Sequence, residues 1–158
     1  MSTRSISNHI TYKEATKSIT AIRLGIINEP DDDQLLNMIE VAEKVFEPLR
    51  SGLGGDPINI NSFFRSHALN SSVPGSAATS QHCKGEAMDL DNDGKFPTNK
   101  LLFRFIRDNL TFDQLINEFP DEEGEPEWVH VSYKRTGHNR GEVLESYRDD
   151  GKTKYRNV

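Results

Sequence analysis

The sequence predicts an α+β fold of one domain, in which N-terminal helices pack on a small, mainly antiparallel sheet. Three observations lead to this prediction. The 158 residues are enough for one domain with a core of its own. Apolar residues recur at helical spacing in the first third of the chain, and short strand-like runs separated by turn residues follow. We expect residues 1–10 to be a frayed lead-in, residues 11–148 to form the domain and residues 149–158 to be a loose polar tail.

Two predicted helices open the domain. Thr11 is placed to cap a short helix over residues 12–19, with a glutamate three positions later that suits a capping box. A longer helix is predicted over residues 31–47, and its acidic first turn favours the positive end of the helix dipole. Its apolar stripe predicts that one side faces the core. Pro48 is expected to end it.

The rest of the chain is predicted to form a small sheet with one inserted helix. The helix covers residues 97–109, and the small polar residues of segment 71–80 (SSVPGSAATS) are typical of a long loop. The predicted strands cover residues 60–66, 86–91, 112–119, 127–133 and 143–147.

Composition and charge exclude several classes of protein. The formal net charge of −6 and the absence of a basic cluster argue against nucleic-acid binding. No apolar run approaches the roughly 20 residues of a membrane span. The first 14 residues, MSTRSISNHITYKE, lack the apolar segment of a secretory signal peptide, so we expect synthesis in the cytoplasm. We also expect a monomer. Cys83 is the only cysteine, which excludes a disulfide framework and a four-cysteine zinc site.

The segment SQHCKGEAMDLDNDG, residues 80–94, contains several residue types that bind metals. His82 and Asp89 are seven positions apart, and His130 follows on a later predicted strand. Catalytic zinc sites take about three such ligands and leave one position for water. Glu127 is a candidate general base near that site, provided that it lies at the bend where the strand begins, because residues three apart on a regular strand face opposite sides.

Two other interpretations use the same segment. Residues 89–94 (DLDNDG) match the first half of a calcium-binding EF-hand loop, but the twelfth position, which requires a bidentate glutamate, is Lys100. A cysteine hydrolase would use Cys83 as nucleophile, yet nothing marks a base with an orienting partner. The simpler alternatives are a solvated turn at residues 91–94 and a small, partly buried filler at Cys83.

Four segments of the sequence resemble the zinc D-Ala-D-Ala carboxypeptidase and L-alanyl-D-glutamate endopeptidase family, which has the hedgehog/DD-peptidase fold. The segments are FRS (64–66), LN (69–70), SQHxxGxAxD (80–89) and EWVHVS (127–132). Residues 11–30 also look like the lead-in of one branch of the family that is common in bacteria and their phages. The resemblance covers roughly residues 10–148, which would make the predicted domain a zinc peptidase.

The resemblance implies one zinc ion per chain, with Glu127 as the catalytic base. The implied zinc ligands are His82, Asp89 and His130. Arg65 matches an arginine that stabilises the substrate carbonyl or carboxylate in the transition state, and its alternative role is a surface salt bridge. Ser80 matches a substrate-contacting position, and its alternative role is that of a turn former.

The implied activity is hydrolysis of a peptide bond in the peptidoglycan stem, either removal of a terminal D-Ala or cleavage between L-Ala and D-Glu. The partners would be stem peptides or muropeptides. A chain without a signal peptide fits a phage lysin released by host lysis, a component carried in a virion, or a cytoplasmic enzyme acting on imported wall peptides. A non-catalytic binding or structural protein on the same fold is the alternative. A calcium-stabilised module using Asp89, Asp91 and Asp93 is another.

Overall fold

The fold is built around a six-stranded sheet. The computed structural model describes residues 4–158. The strands of the described residues are, in chain order, β1 (Ser5–Ser7), β2 (Ile10–Thr11), β3 (Ile60–Ser62), β4 (Ala87–Leu90), β5 (Gln114–Glu118), β6 (Trp128–Ser132), β7 (Glu142–Asp149) and β8 (Lys152–Asn157). The large sheet has the order β3-β4-β6-β5-β7-β8, and β1 pairs with β2 separately. All neighbours in the large sheet are antiparallel except β5 and β7. The predicted α+β class with a mainly antiparallel sheet is confirmed.

The helices occupy the first half of the chain and one crossing between strands. They are α1 (Tyr12–Thr16), α2 (Ile19–Leu24), α3 (Asp32–Val41), α4 (Glu47–Gly52), α5 (His67–Ser72) and α6 (Asn99–Asn109). A π-helical turn, Ala42–Phe46, joins α3 to α4, and Gln81–Lys84 form a 3₁₀ turn before β4. No helix within the described range is long and apolar enough to cross a membrane.

The two faces of the sheet have different roles because side chains alternate along each strand. One face is apolar and shares a single buried core with the helices. Its strand residues are Met88, Leu90, Leu115, Val129 and Val131, and the helices contribute residues such as Met38, Val45, Phe46, Leu102 and Ile106. On the opposite face, Asp89 of β4 lies directly across from His130 of β6. The apolar face therefore supports the candidate ligands from behind.

The long helix continues past Pro48 to Gly52, so the prediction that it ends at this proline is wrong. The π-helical turn just before Pro48 gives the physical reason. There the Glu47 N–H donates to the carbonyl of Ala42, five residues back, which widens the helix. Pro48 lacks an N–H, and in a regular α-helix its ring would clash with the carbonyl four residues back. The widened turn accommodates this residue.

Both ends of the described chain are more ordered than predicted. Residues 1–3 of the predicted lead-in lie outside the described residues. Ile6 and Ile10 belong to the paired strands β1 and β2, and both are buried in the core. In the tail, β8 pairs with β7 in six consecutive register positions although its residues are exposed. Backbone pairing rather than apolar burial orders this strand, so its polar composition was misleading. The three-part division of the chain stays a prediction.

Three other elements differ from their predicted bounds. The helix predicted over residues 12–19 ends at Thr16, and Ser18 caps a separate helix, while Thr11 caps α1 as predicted by accepting from the Glu14 N–H. The strand predicted over residues 60–66 is only three residues long. Helix α5 was not predicted, and it precedes the small-residue loop.

Asp113 ties the segment between β6 and β7 to the start of β5. Its carboxylate is fully buried and accepts hydrogen bonds of 2.8–3.1 Å from the backbone and guanidinium of Arg140. Gln81 donates a further one at 3.2 Å, and the Lys134 ammonium lies 3.7 Å away. Burial alone would raise the pKa of the Asp113 carboxyl, but the bonds and charge of Arg140, with Lys134, lower it to about 2.

We expect Asp113→Asn to lower the free energy of unfolding by about 2 kcal/mol at pH 6. This energy corresponds to the difference between the pKa of the Asp113 carboxyl in the unfolded state and its pKa in the folded state. Because the folded-state pKa is depressed, this stabilisation is present above about pH 4 and is lost as the pH falls towards about 2. Urea unfolding at pH 6 and pH 3 measures the difference. The control is Asp108→Asn, which removes a carboxylate from an exposed ion pair with Arg107 and should change little. Equal effects of the two substitutions would contradict the buried network.

Gly85 separates His82 from Asp89 and ends the 3₁₀ turn with φ +75°. A Cβ atom there would lie 2.5 Å from the backbone oxygen of Gln34. We expect Gly85→Ala to lower the free energy of unfolding by more than about 2 kcal/mol, since the left-handed backbone alone costs roughly 1–2 kcal/mol. Gly75→Ala is the matched control, because Gly75 has φ +77° and open space around it. Thermal unfolding of both variants should show the larger loss for Gly85, and equal losses would contradict the close packing.

Candidate active site

Three potential metal ligands converge on the polar face of the sheet. The 3₁₀ turn supplies His82, β4 supplies Asp89 and β6 supplies His130. His82 Nε2 lies 3.2 Å from Asp89 Oδ2, and His130 Nδ1 lies 3.0 Å from Asp89 Oδ1. One ligand atom from each residue lies within 4.8 Å of the others. The structure thus brings together the three residues that the sequence predicted as ligands.

The hydrogen bonding of His82 suits a metal ligand. Its Nδ1 lies 2.7 Å from the carbonyl oxygen of Phe63, which can only accept, so this nitrogen carries the proton. The other nitrogen, Nε2, then presents a lone pair towards Asp89 Oδ2 at 3.2 Å, and this buried atom makes no hydrogen bond with the described residues. A buried polar atom left without a partner requires an explanation. A metal ion is one, because ligating histidines commonly donate their other N–H to a carbonyl.

Asp89 is held in its ionised form. Burial by itself would raise its pKa, but the adjacent imidazoles of His82 and His130 outweigh burial and hold the pKa well below its usual range. The guanidinium of Arg65 also faces this carboxylate, with Nη2 3.8 Å from Oδ2. Arg65 therefore points at the ligand cluster and is largely buried, unlike a surface salt-bridge residue.

Ser80 caps a turn and lines the cavity, and its predicted contact with substrate stays a prediction. Its hydroxyl accepts a 3.3 Å hydrogen bond from the His82 N–H and so caps the 3₁₀ turn. It also lines the cavity above the three ligands. The next residue, Gln81, reaches to the buried Asp113 at 3.2 Å. The turn that presents His82 is thus tied to the β5 side of the sheet.

An open cavity of about 830 Å³ lies over this cluster. It is more cationic than a protein of net charge −6 would suggest. Its charged lining residues are the cations Arg65, Lys84, Lys134, Arg140 and Arg148 and the anions Asp89, Asp113 and Glu118. A cavity with an excess of positive charge attracts anionic ligands.

Glu127, the predicted catalytic base, does not line this cavity. It precedes β6, its side chain is 52% exposed, and its Oε1 lies 3.4 Å from the Arg148 guanidinium. It lines a neighbouring groove together with residues such as Pro120 and Tyr147. The bend at the start of the strand is present, but it directs the carboxylate towards Arg148. The role of Glu127 stays a prediction.

Several residues of the cavity were not predicted from the sequence. Glu118, the last residue of β5, lines the cavity. Tyr155, from the predicted loose tail, also lines it. Alternation along residues 112–119 places Glu118 on the same face as Ile116, the register partner of His130, so this alternation was a usable signal. No comparable signal marks Tyr155 or Arg148, because both reach the cavity through long-range strand pairing.

The calcium and cysteine interpretations find no support in the geometry. Asp91 accepts from the Asn99 side chain at 2.9 Å and from the Asp93 N–H at 2.8 Å, which is the hydrogen bonding of a turn. Among residues 4–158, the ligand cluster of His82, Asp89 and His130 is the only group of three or more His, Cys, Asp or Glu close enough to share an ion. Cys83 is buried and outside the cavity lining, and burial raises the pKa of its thiol.

Comparison with known proteins gives one family. The family model described as Peptidase M15 matches residues 8–132, which is well over half of the chain and includes all three candidate ligands. No curated protein matches the chain.

Proposed function

Because the chain belongs to the Peptidase M15 family, and is therefore a peptidase, we propose that it is a zinc metallopeptidase that hydrolyses a peptide bond in the peptidoglycan stem. The observation that carries the proposal is the buried, unpartnered Nε2 of His82 beside Asp89 and His130 on the floor of an open cavity. Two imidazoles and one carboxylate form a donor set typical of zinc in hydrolases. The three residues would hold one zinc ion per chain.

The protein residues around the ligands suit peptide hydrolysis. When bound, zinc supplies a Lewis acid that polarises a carbonyl and lowers the pKa of its water towards about 7. Arg65 presents a guanidinium beside the ligand cluster and would stabilise the negative charge that develops on the scissile carbonyl oxygen. Ser80 lines the same cavity and would contact the substrate backbone.

The charge of the cavity supports an acidic peptide as substrate. Five cationic side chains line it against three carboxylates. The Lys134 ammonium is one-third exposed and lies 3.7 Å from Asp113, so it remains accessible to a ligand in the cavity. Stem peptides carry several carboxylates, and both bond types proposed for the family, D-Ala-D-Ala and L-Ala-D-Glu, lie beside at least one. We propose stem peptides or muropeptides of either type as substrates.

We further propose that the protein degrades cell walls as a phage lysin or as a component of a virion. The support is the resemblance of residues 11–30 to a branch of the family that is common in bacteria and their phages. Clearing of suspended purified walls by the zinc-loaded protein, followed as turbidity, tests this role. Cleavage of soluble muropeptides without any clearing of walls would contradict it.

We expect the purified protein to bind about one zinc ion per chain and His82→Ala to bind almost none, because Nε2 of His82 is the ligand atom with no alternative partner. Elemental analysis after removal of excess metal measures the stoichiometry. His138→Ala, a change at an exposed histidine, is the control and should keep full occupancy. Unchanged zinc occupancy in His82→Ala would contradict its role as a ligand.

We expect the zinc-loaded protein to cleave purified stem peptides, and Lys134→Gln to raise KM roughly three- to fivefold with little change in kcat. The reason is that a partly exposed charge pair contributes up to about 1 kcal/mol. Mass spectrometry of the products identifies the bond that is cut. The control Lys44→Gln removes the same charge from an exposed site outside the cavity. A similar KM in both variants would argue against recognition of an acidic substrate, and no cleavage of any stem peptide would contradict the proposed function.

A further inference from the structure

We infer that a second groove, along the free edge of β3, binds the uncharged segment of the substrate on the amino side of the scissile bond. The inference deepens the proposed function and rests on it. It adds a second substrate-binding region to the candidate active site. It also selects one of the two proposed bond types, the bond between L-Ala and D-Glu.

The groove lies on the other side of the ligand cluster from the cationic cavity. It has a volume of about 500 Å³, and residues 17–20 and 59–62 form its two walls. β3 lines the groove, whereas β5 and β8 line the cavity, and these strands lie on opposite sides of β4 in the sheet. Arg65, Val73 and Asp89 line both spaces. A substrate held at the candidate ligands can therefore extend into the groove and into the cavity.

β3 can present its backbone to a peptide. It is the first strand of the large sheet and pairs only with β4. Ser62 is the register partner of Asp89, so its side chain lies on the same face of the sheet as the candidate ligand. Within residues 4–158, β3 makes no backbone hydrogen bond with the helices. An edge strand with free N–H and C=O groups can bind an extended peptide by adding it to the sheet.

Asn28 holds the helical wall of the groove against the segment that follows β3. Its side-chain amide donates to the carbonyls of Thr16 and Phe64 at 2.8 and 3.1 Å. Its side-chain oxygen accepts from the Ser66 N–H at 2.7 Å. In addition, the Phe64 N–H donates to the carbonyl of Ala15 at 3.0 Å. These bonds join the end of α1 to the chain just beyond β3, so the two walls are fixed relative to each other.

The groove and the cavity differ in charge. Five cationic side chains line the cavity against three carboxylates. The groove has one cation and one carboxylate of its own, Lys17 and Glu14, beside the shared Arg65 and Asp89. Its other polar lining residues carry only hydroxyls and amides, and they are Ser18, Thr20, Asn59, Asn61 and Ser62. The cavity thus suits the acidic groups of a substrate, and the groove suits a segment that is polar but uncharged.

The groove also presents apolar surface. Ile19 lines it and is 76% exposed, although it is one of the larger apolar side chains of the protein. An apolar side chain at the rim of a polar groove would contact a small methyl group of the substrate, such as that of L-Ala.

The order of charges along a stem peptide then selects the bond. On the amino side of the L-Ala–D-Glu bond there are only L-Ala and the acyl group that joins it to the sugar, and neither is charged. D-Glu and the other acidic groups follow on the carboxyl side. At the D-Ala–D-Ala bond these acidic groups lie on the amino side and would have to enter the groove. Hydrolysis between L-Ala and D-Glu consumes one water and gives an acyl-L-Ala carboxylate and a peptide with amino-terminal D-Glu.

The first experiment identifies the bond. The full-length protein loaded with zinc is incubated with a muropeptide that carries an intact pentapeptide stem, and the products are identified by mass spectrometry. We expect a peptide with a new amino-terminal D-Glu and no release of free D-Ala. The same stem as a free peptide, whose L-Ala carries an ammonium group, should have a KM at least about fivefold higher, the equivalent of about one lost hydrogen bond.

The second experiment blocks the groove. Thr20→Trp places a ring in the groove at a residue that does not line the cavity. We expect it to raise KM for the muropeptide at least about fivefold, with kcat, zinc occupancy and the thermal midpoint close to those of the unaltered protein. The matched control is Ile22→Trp on the same helix, at a side chain that is 80% exposed and outside the groove. If Thr20→Trp does not fold, Ile19→Asp replaces it and should also raise KM.

The outcomes separate the inference from the proposed function. Release of D-Ala without cleavage after L-Ala would overturn the inference and leave the peptidase function standing. Equal KM values for the muropeptide and the free peptide, or for the groove variant and Ile22→Trp, would do the same. No cleavage of any stem substrate by the unaltered protein would contradict the proposed function, on which the inference rests.

Discussion

The antiparallel pairing of β4 with β6 is the constraint on which the rest of the site depends. It sets Asp89 directly opposite His130, so that two candidate ligands from distant parts of the sequence meet through backbone hydrogen bonds. The third candidate ligand, His82, is oriented by the carbonyl of Phe63, just beyond β3, which pairs with the other edge of β4. A shift of one residue in the β4–β6 register would turn Asp89 into the core and Met88 into the cavity. The buried apolar residues behind the ligands make such a shift costly, and the core thereby maintains the geometry of the site.

The other half of the same sheet supplies part of the cavity wall. β5 and β7, the one parallel pair of the sheet, bring Ser146 next to Glu118. β8 then adds Tyr155 in register with Ser146. The half with the candidate ligands is made of short, largely buried strands, whereas β7 is mostly half-buried and β8 is exposed and polar. A rigid set of candidate ligands and a more accessible outer wall suit the proposed site, which would hold a metal and admit a peptide.

The sequence predicts the fold class and the convergence of His82, Asp89 and His130 better than the rest of the site. This convergence could be predicted because metal ligation would require specific residue types at a spacing that a motif records. The ordered β8 and the role of Arg148 are not found, because exposed strand pairing leaves no apolar pattern and depends on partners far away in the chain. The continuation of the helix through Pro48 was missed because a π-helical turn is not encoded by any single residue. Glu118 is an intermediate case: alternation along β5 was sufficient to place it on the same face of the sheet as the candidate ligands.

The contrast between Glu118 and Glu127 shows how motif and environment give different information about a carboxylate. A motif states that an acidic residue stands three positions before a ligand, but it does not state where the side chain goes. In this chain the strand that begins at Trp128 turns the preceding glutamate towards Arg148, and its side chain is about half exposed there. The buried neighbour of His130 on β5 meets the opposite conditions: little water, negative charges nearby and one oriented hydroxyl. The two carboxylates therefore differ in burial and in bonding partners, and the spacing of a motif records neither difference.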